Sequence, residues 1–284
     1  MSKTPTLQQV LYQDVVCRAL AEDLGRAGDV TTDAIVAADH PGRAVVVARA
    51  AGRVAGLEAS LLAFRLLDPD CRAEVRLCDG SDAAAGQEIA QVSARARALL
   101  TGERTALNLL GRLSGIATIT RDVVARLDGL PTRVVDTRKT TPGLRALEKY
   151  AVRVGGGSNH RYGLDDAVLV KDNHVALAGG IAEAVRRVRQ SGGHMLKLEV
   201  EVETLAELDE ALALGVDAVL LDNMELETLR EAVRRARGRA LTEASGGIRP
   251  ETVRAVAETG VDLVSIGWLT HSAPALDVAL DVVA

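Results

Sequence analysis

From residue 133 onward, short apolar runs alternate with helical patterns, and this alternation constrains the fold more than any other feature of the chain. Runs that read as strands lie at 133–136, 167–171, 196–202, 217–222, 240–242 and 263–266. Between them sit segments such as TLAELDEALALG and MELETLREAVRRARG, whose apolar residues recur at helical spacing. Strands alternating with helices of this length make βαβ units and a parallel sheet. The runs AVLV, AVLL and LVSI lack polar alternation, as strands covered on both faces should. No single glycine-rich dinucleotide loop dominates, so an α/β barrel fits better than an open sheet. With one Phe, one Trp and three Tyr, the core must be built from Leu, Val, Ile and Ala. An aromatic stacking pocket for a ligand is not expected, so recognition must run through charge, hydrogen bonds and backbone.

The first part of the chain reads differently. Residues 6–22 form an opening helix, with Val10, Leu11, Val15, Val16, Ala19 and Leu20 on one face. EDLGRAGDVTT (22–32) is a turn-rich connector in which Asp23, Asp29, Thr31 and Thr32 are candidates to cap a helix. Strand candidates follow at 43–50, 53–56, 73–78 and 87–93, interrupted by a helix at 57–67. This pattern predicts a small α+β layer. Helices then run from about 99 to 127, with a break expected near Ser114 and Gly115.

Bulk properties narrow the function. A net charge of −5 argues against a nucleic-acid binder, although local charge still decides ligand binding. Cys17, Cys71 and Cys78 form no CxxC pair and read as free thiols in a reducing cytosol. The start, MSKTPTLQQV, lacks the basic-then-apolar pattern of an export signal. No apolar stretch reaches the roughly 18 residues of a membrane helix. GxxxxGK[ST], HExxH and GxSxG are all absent, and GGG at 155–157 lacks the dinucleotide spacing.

In an α/β barrel the chemistry sits where strands end. The strand ends here lead into Asp136-Thr137-Arg138-Lys139, Lys171-Asp172-Asn173-His174, Asp222-Asn223, Ser245-Gly246-Gly247 and Ser265-Ile266-Gly267. The cations Arg138, Lys139, Arg161 and Lys171, with His160 beside them and Arg104 on an earlier helix, point together to a strongly anionic ligand. The turns SGGI and SIG offer backbone N–H groups to a phosphate; tight βα turns would demand the same glycines. Period-two alternation puts Glu199, Glu201 and Glu203 on one strand face, where acids need partners. Glu203 is close enough to the strand end to cap the next helix instead. Glu201 and Asp222, on neighbouring strands, are placed to meet across the mouth. They could hold ribose hydroxyls, Mg²⁺ or a developing cation; salt bridges with the rim cations are the competing reading for the pair. His40 and His194 read as surface residues, whereas His174 and His271 follow strand ends.

These segments resemble the quinolinate phosphoribosyltransferase family. The blocks are GERTALNLLGRLSGIAT (102–118), DTRKTTPGLRALEKYAVRVGGGSNHRYGL (136–164), KDNH (171–174), EVEVET (199–204), LLDN (220–223), EASGGI (243–248) and SIGWLTHS (265–272), together with the connector at 22–32. They follow one another in order over nearly the whole chain. The resemblance implies an α/β fold: an incomplete TIM-like α/β barrel with a smaller N-terminal α+β sandwich domain. It divides the chain at 1–114 and 115–284, with the N-terminal helix and the C-terminal end packing back between domains. It implies a homodimer, or a higher assembly, in which Arg104 reaches the neighbouring active site.

The substrates implied are quinolinate and phosphoribosyl pyrophosphate (PRPP), with Mg²⁺ as cofactor and no nucleic acid or membrane partner. Arg104, Thr137, Arg138, Lys139, His160, Arg161 and Lys171 match the pocket for quinolinate and phosphate. Glu201 and Asp222 match the acids that hold the PRPP ribose, touching Mg²⁺ only through the pyrophosphate. Ser245, Gly246, Gly247, Ile266, Gly267 and Trp268 match the phosphate-binding turns. Lys139, Lys171, Glu201 and Asp222 are the residues expected to act in catalysis. Two departures stand out: Trp268 occupies a position usually held by a small residue, and Arg26-Ala27 lengthen the approach to GDVTT. The competing functions are a related phosphoribosyltransferase for nicotinate or another ring acid, a molybdenum-locus paralogue, a lyase forming a Schiff base on Lys139 or Lys171, and a sensor of a phosphorylated metabolite.

Overall fold

The structure, a computed structural model, describes residues 6–283 and divides into two compact units. Residues 1–5, on which the expectation of no export signal partly rests, lie outside the described residues. The first unit comprises the chain up to Arg121, Thr140–Gly156 and the segment from Leu269 on; the second comprises Asp122–Lys139 and Gly157–Trp268.

The first unit holds α1 (Gln13–Leu24), α2 (Val30–Ile35), α3 (Leu57–Leu67), most of α4 (Ala96–Ala125) and α5 (Arg145–Val154). Its strands are β1 (Pro41–Ala48), β2 (Gly52–Arg53), β3 (Arg72–Val75), β4 (Asp82–Ala83), β5 (Glu88–Arg95) and β12 (Val278–Val283). The main sheet runs β12-β1-β5-β3, antiparallel throughout, with a register irregularity at Val46/Val47; β2 and β4 pair separately. Val16, Leu20, Phe64, Ile89, Leu110 and Leu147 meet in one apolar core, so the sheet is covered by helices from distant parts of the chain.

Local chemistry explains several elements. Asp29 caps α2 by accepting the Thr32 N–H at 2.9 Å, so part of the expected connector is a short helix. The helix expected at 57–67 is α3; Gly56 turns into it at φ 84°, and the Asp79 carboxylate accepts the Gly56 and Leu57 N–H groups at 2.8 and 3.1 Å. The opening helix starts later than expected, at Gln13, after a 3-10 turn at Gln9–Leu11. The break expected near Ser114-Gly115 is absent, since α4 runs unbroken for 30 residues. Gly115 has a different task there. A Cβ at this position would lie 1.9 Å from the Pro274 carbonyl oxygen, so the missing side chain lets the 274–276 backbone cross the helix. Leu276 N–H then bonds the Gly111 carbonyl at 2.8 Å.

The second unit is the repeated β/α part. Its strands are β6 (Arg133–Val135), β7 (Val168–Val170), β8 (Leu198–Val202), β9 (Ala218–Asp222), β10 (Leu241–Ser245) and β11 (Leu263–Ser265). Its helices are α6 (Asp172–Ala178), α7 (Ile181–Ser191), α8 (Leu205–Ala213), α9 (Leu226–Ala236) and α10 (Val253–Ala257), and the short α11 (Trp268–His271) begins at its last residue. The strands form one parallel sheet in the order β6-β11-β10-β9-β8-β7. Five lie within their expected runs, and β10 begins inside 240–242 but continues to Ser245. Val200, Val219 and Val264 are fully buried, as continuous apolar strands require.

The sheet curls. Ser158 runs alongside β6 through a parallel bridge to Val135, and His160 follows it. β6 and β8 are four places apart in the sheet, about 19 Å on a flat surface at roughly 4.8 Å per strand. Yet the His160 ring reaches Glu199 on β8 at 3.1 Å. Only a barrel-like curvature brings those side chains together. The fold is therefore an incomplete α/β barrel with a separate antiparallel α+β unit, which is not the smaller of the two, contrary to expectation, because α5 and the C-terminal segment join it.

Candidate active site

At the end of β6 the chain turns sharply around Asp136, which is fully buried. Its Oδ1 accepts the His160 N–H at 2.9 Å and its Oδ2 accepts the Asn159 amide at 2.5 Å. One buried carboxylate thus fixes the segment that carries His160 and Arg161. Two residues on, Thr137 Oγ1 accepts the Lys139 N–H at 3.0 Å, shaping the turn that presents Arg138 and Lys139.

His160 points into the barrel. Its Nε2 lies 3.1 Å from Glu199 Oε2 and 3.3 Å from Glu243 Oε2, while its Nδ1 faces the Arg161 N–H at 2.7 Å. Glu199 is 9 % exposed and Glu243 1 %. Burial alone would push the imidazole down, but hydrogen bonds to Glu199 and Glu243, and their charges, push it up to about 10. The Arg161 N–H opposes a proton on Nδ1. Two buried carboxylates outweigh one backbone dipole, so the direction toward the charged ring stands. Burial in turn raises the Glu199 carboxyl, with Glu243 adding repulsion and His160 and Arg161 opposing. Neither Glu199 nor Glu243 was singled out as a site residue from sequence. The period-two acids at 199 and 201 were a usable signal; a lone Glu243 inside LTEAS gave none.

Arg161 is held down first by burial and then by the charge of Arg138. Burying like charges side by side costs free energy unless an anion joins them. Arg161 also donates to the Ala167 carbonyl at 3.3 Å.

Two residues beyond Glu199 along β8, Glu201 Oε2 accepts from Lys171 Nζ at 2.5 Å, the side chains being 11 % and 45 % exposed. Asp222, one strand further, accepts from the Asn223 amide at 2.6 Å. Glu201 and Asp222 therefore face separate protein partners, and the rim-cation pairing is the arrangement Glu201 adopts. Glu203 lies past the end of β8, but Thr204 caps α8 in its place, in a reciprocal box with Glu207. His174 accepts the Lys171 N–H at 2.9 Å at the start of α6, and His271 contacts Ser272 at 2.6 Å.

The proposed phosphate turns sit at the ends of β10 and β11. Gly246 and Gly247 have φ 98° and 59°, conformations that favour glycine. Ile266 is buried and its N–H bonds the Val135 carbonyl at 3.0 Å. Trp268 has a local explanation: its indole N–H donates to the Ile248 carbonyl at 3.2 Å. That bond ties the SGGI turn to the SIGW turn. Arg104 belongs to the first unit, on α4, with its side chain 66 % exposed and a long 3.9 Å contact to Glu103.

Two donor sets are relevant to metals. Glu201 and Asp222 offer only oxygens, the class Mg²⁺ takes, with one oxygen of each already committed to a protein donor. Among the described residues, donor atoms of His160, Glu199 and Glu243 also lie within 4.8 Å of one another. That mixed nitrogen and oxygen set is unlike the oxygen shell of Mg²⁺.

Known proteins resemble this chain in sequence and fold. Residues 29–114 and 116–281 match the N- and C-terminal domains of quinolinate phosphoribosyl transferase. A probable nicotinate-nucleotide pyrophosphorylase (carboxylating) from Bacillus subtilis is 46 % identical over 92 % of this chain and 90 % of its own. A nicotinate-nucleotide pyrophosphorylase (carboxylating) from Mycobacterium leprae is 46 % identical over 95 % and 96 %. The crystal structure of NadC from Streptococcus pyogenes superposes with a TM-score of 0.94 at 40 % identity, covering 99 % of this chain and 100 % of that one. The chain belongs to the quinolinate phosphoribosyltransferase family.

Proposed function

We infer that this protein transfers a phosphoribosyl group from PRPP to quinolinate and releases carbon dioxide, giving nicotinate mononucleotide and pyrophosphate for NAD biosynthesis. The observation that supports the site assignment is that His160, next in the chain to Arg161, bonds Glu199 on the same strand as Glu201, which pairs with Lys171, so cations and acids gather at one barrel mouth. A doubly carboxylated ring fits such a mouth, because guanidinium forks meet carboxylates two bonds at a time.

The chemistry needs no protein nucleophile. The ring nitrogen attacks the anomeric carbon while the carbon–oxygen bond to pyrophosphate breaks. The nitrogen becomes positive, and the adjacent carboxylate leaves as carbon dioxide. Its bonding electrons stay on the ring carbon, which then takes a proton. Arg138 and Arg161, with Arg104 from a second copy, hold the carboxylates, His160 anchors the segment carrying Arg161, and Lys139 and Lys171 offset pyrophosphate and carboxylate charge. Glu201 and Asp222 face the cation-like ribosyl group, and the turns at Ser245–Gly247 and Ile266–Trp268 take the phosphate. The contribution of these groups is positioning and charge stabilisation. Mg²⁺ bound to the pyrophosphate would neutralise the leaving group, and Glu201 and Asp222 are the side chains that would face it. Arg104, exposed on α4, is available to a second copy of the chain, so the working form is a homodimer. Three free cysteines fit a reducing cytoplasm.

The site assignment is tested by Arg138→Ala, followed by initial rates with each substrate varied. Loss of one guanidinium from an anion site should cost about 2–5 kcal/mol in quinolinate kcat/KM. Wild-type kinetics would remove Arg138 from the site.

A further inference from the structure

Asn223 has φ 51°, the one positive φ outside glycine among the described residues. Left-handed backbone is costly for residues with a Cβ, and Asn tolerates it better than most. Asn223 is exposed, so core packing does not demand this conformation. The hydrogen bonds explain it. The Asn223 side-chain amide donates to Asp222 Oδ2 at 2.6 Å, and its backbone N–H donates to the Ser245 carbonyl at 3.0 Å. The carboxylate can only accept, which fixes the amide nitrogen as the end facing it.

Gly246 completes the arrangement. A Cβ built there would lie 2.1 Å from Asn223 Oδ1 and 2.9 Å from its backbone nitrogen. Gly246 is thus required for room as well as for its φ of 98°. Ser245 and Asp222 are also the last paired residues of β10 and β9. One residue therefore joins the end of the strand carrying Asp222 to the turn Ser245-Gly246-Gly247. Asp222 Oδ1 accepts no hydrogen bond among the described residues.

We propose that Asn223 is a positioning residue for PRPP, orienting the Asp222 carboxylate and locking it in register with the Ser245–Gly247 turn. Asn223 need not touch substrate. Its amide fixes one carboxylate oxygen so that the other is held ready for the ribose, and its backbone N–H fixes the distance to the phosphate turn. This rests on reading Asp222 and that turn as the PRPP site.

Asn223→Gly deletes the amide but accepts the backbone freely; Asn223→Asp keeps the backbone preference but replaces the donor with a repelling charge. The measurements are Kd for Mg²⁺–PRPP by calorimetry, KM for each substrate, and melting temperature. Asn223→Gly should weaken PRPP binding about 5- to 20-fold and leave quinolinate KM within about twofold, with melting within a few degrees of wild type, because one charge-assisted bond is lost. Asn223→Asp should weaken PRPP binding further. In an Asp222→Asn background, Asn223→Gly should add less than about twofold.

Wild-type PRPP affinity in Asn223→Gly, with affinity lost in Asp222→Asn, would overturn the positioning role while the Asp222 reading stood. An equal loss from Asn223→Gly in both backgrounds, or equal losses for PRPP and quinolinate alongside a lowered melting temperature, would also overturn it. Unchanged PRPP binding in Asp222→Asn would instead remove the reading on which it rests.

Discussion

Lys171, the residue after β7, and Glu201 on the neighbouring strand β8 close an ion pair at the barrel mouth, Nζ to Oε2 at 2.5 Å. An exposed lysine makes such a pair weak as a stabilising contact. On the proposed function its value lies in exchange: an anionic substrate would take over Lys171 and leave Glu201 facing the ribosyl carbon.

Glu201→Gln should therefore lower kcat by about 100-fold, the scale of losing one preorganised electrostatic group, with little change in melting temperature. Lys171→Ala should mainly lower quinolinate kcat/KM, by roughly 10- to 100-fold. Steady-state rates with each substrate varied check both. Near-wild-type turnover in Glu201→Gln would reduce the pair to a surface ion pair.

His160 links the site to pH. Its folded-state pKa is raised from 6.5 to about 10, so the folded protein binds more protons than the unfolded chain between those values. The stability it contributes is fully present below about pH 6.5 and is lost as pH rises toward about 10. Glu199, raised by burial, acts in the same direction. Glu243→Gln should flatten the decline in denaturant midpoint between pH 6.5 and 9.5. Identical slopes in variant and wild type would show that Glu243 does not hold the proton on His160.

Gly115→Ala should destabilise the first unit. In an ordinary helix this change gains up to about 1 kcal/mol. Here the new methyl would meet the Pro274 carbonyl, and overpacking of this kind costs roughly 1–3 kcal/mol. Thermal unfolding should show a fall of several degrees, against no fall for Gly193→Ala, which has nothing within 4 Å. A rise in stability would mean the 274–276 segment yields easily.

What the sequence exposes and what it hides follow from distance along the chain. The barrel strands are legible because burial on both faces leaves an unbroken apolar run, and α3 is legible because Gly56 and its apolar residues are local. β12 is not: Val278–Val283 becomes a strand by pairing with β1, more than two hundred residues away. The unbroken α4 is hidden for the same reason, since Pro274 is what makes use of Gly115. Around the proposed site, the cations stand out in the sequence because most of them follow strand ends. Glu243 and Asn223 do not, because their importance comes from the neighbours that folding supplies, His160 for one and Gly246 for the other.

The central claim is that this mouth binds a pyridine dicarboxylate beside PRPP and decarboxylates it. The most direct test incubates the protein with Mg²⁺, PRPP and either quinolinate or nicotinate, and follows carbon dioxide, pyrophosphate and nucleotide together. With quinolinate the three should appear in equal amounts; with nicotinate almost no nucleotide should form. Nucleotide formed from nicotinate, or pyrophosphate released from quinolinate without carbon dioxide, would contradict it.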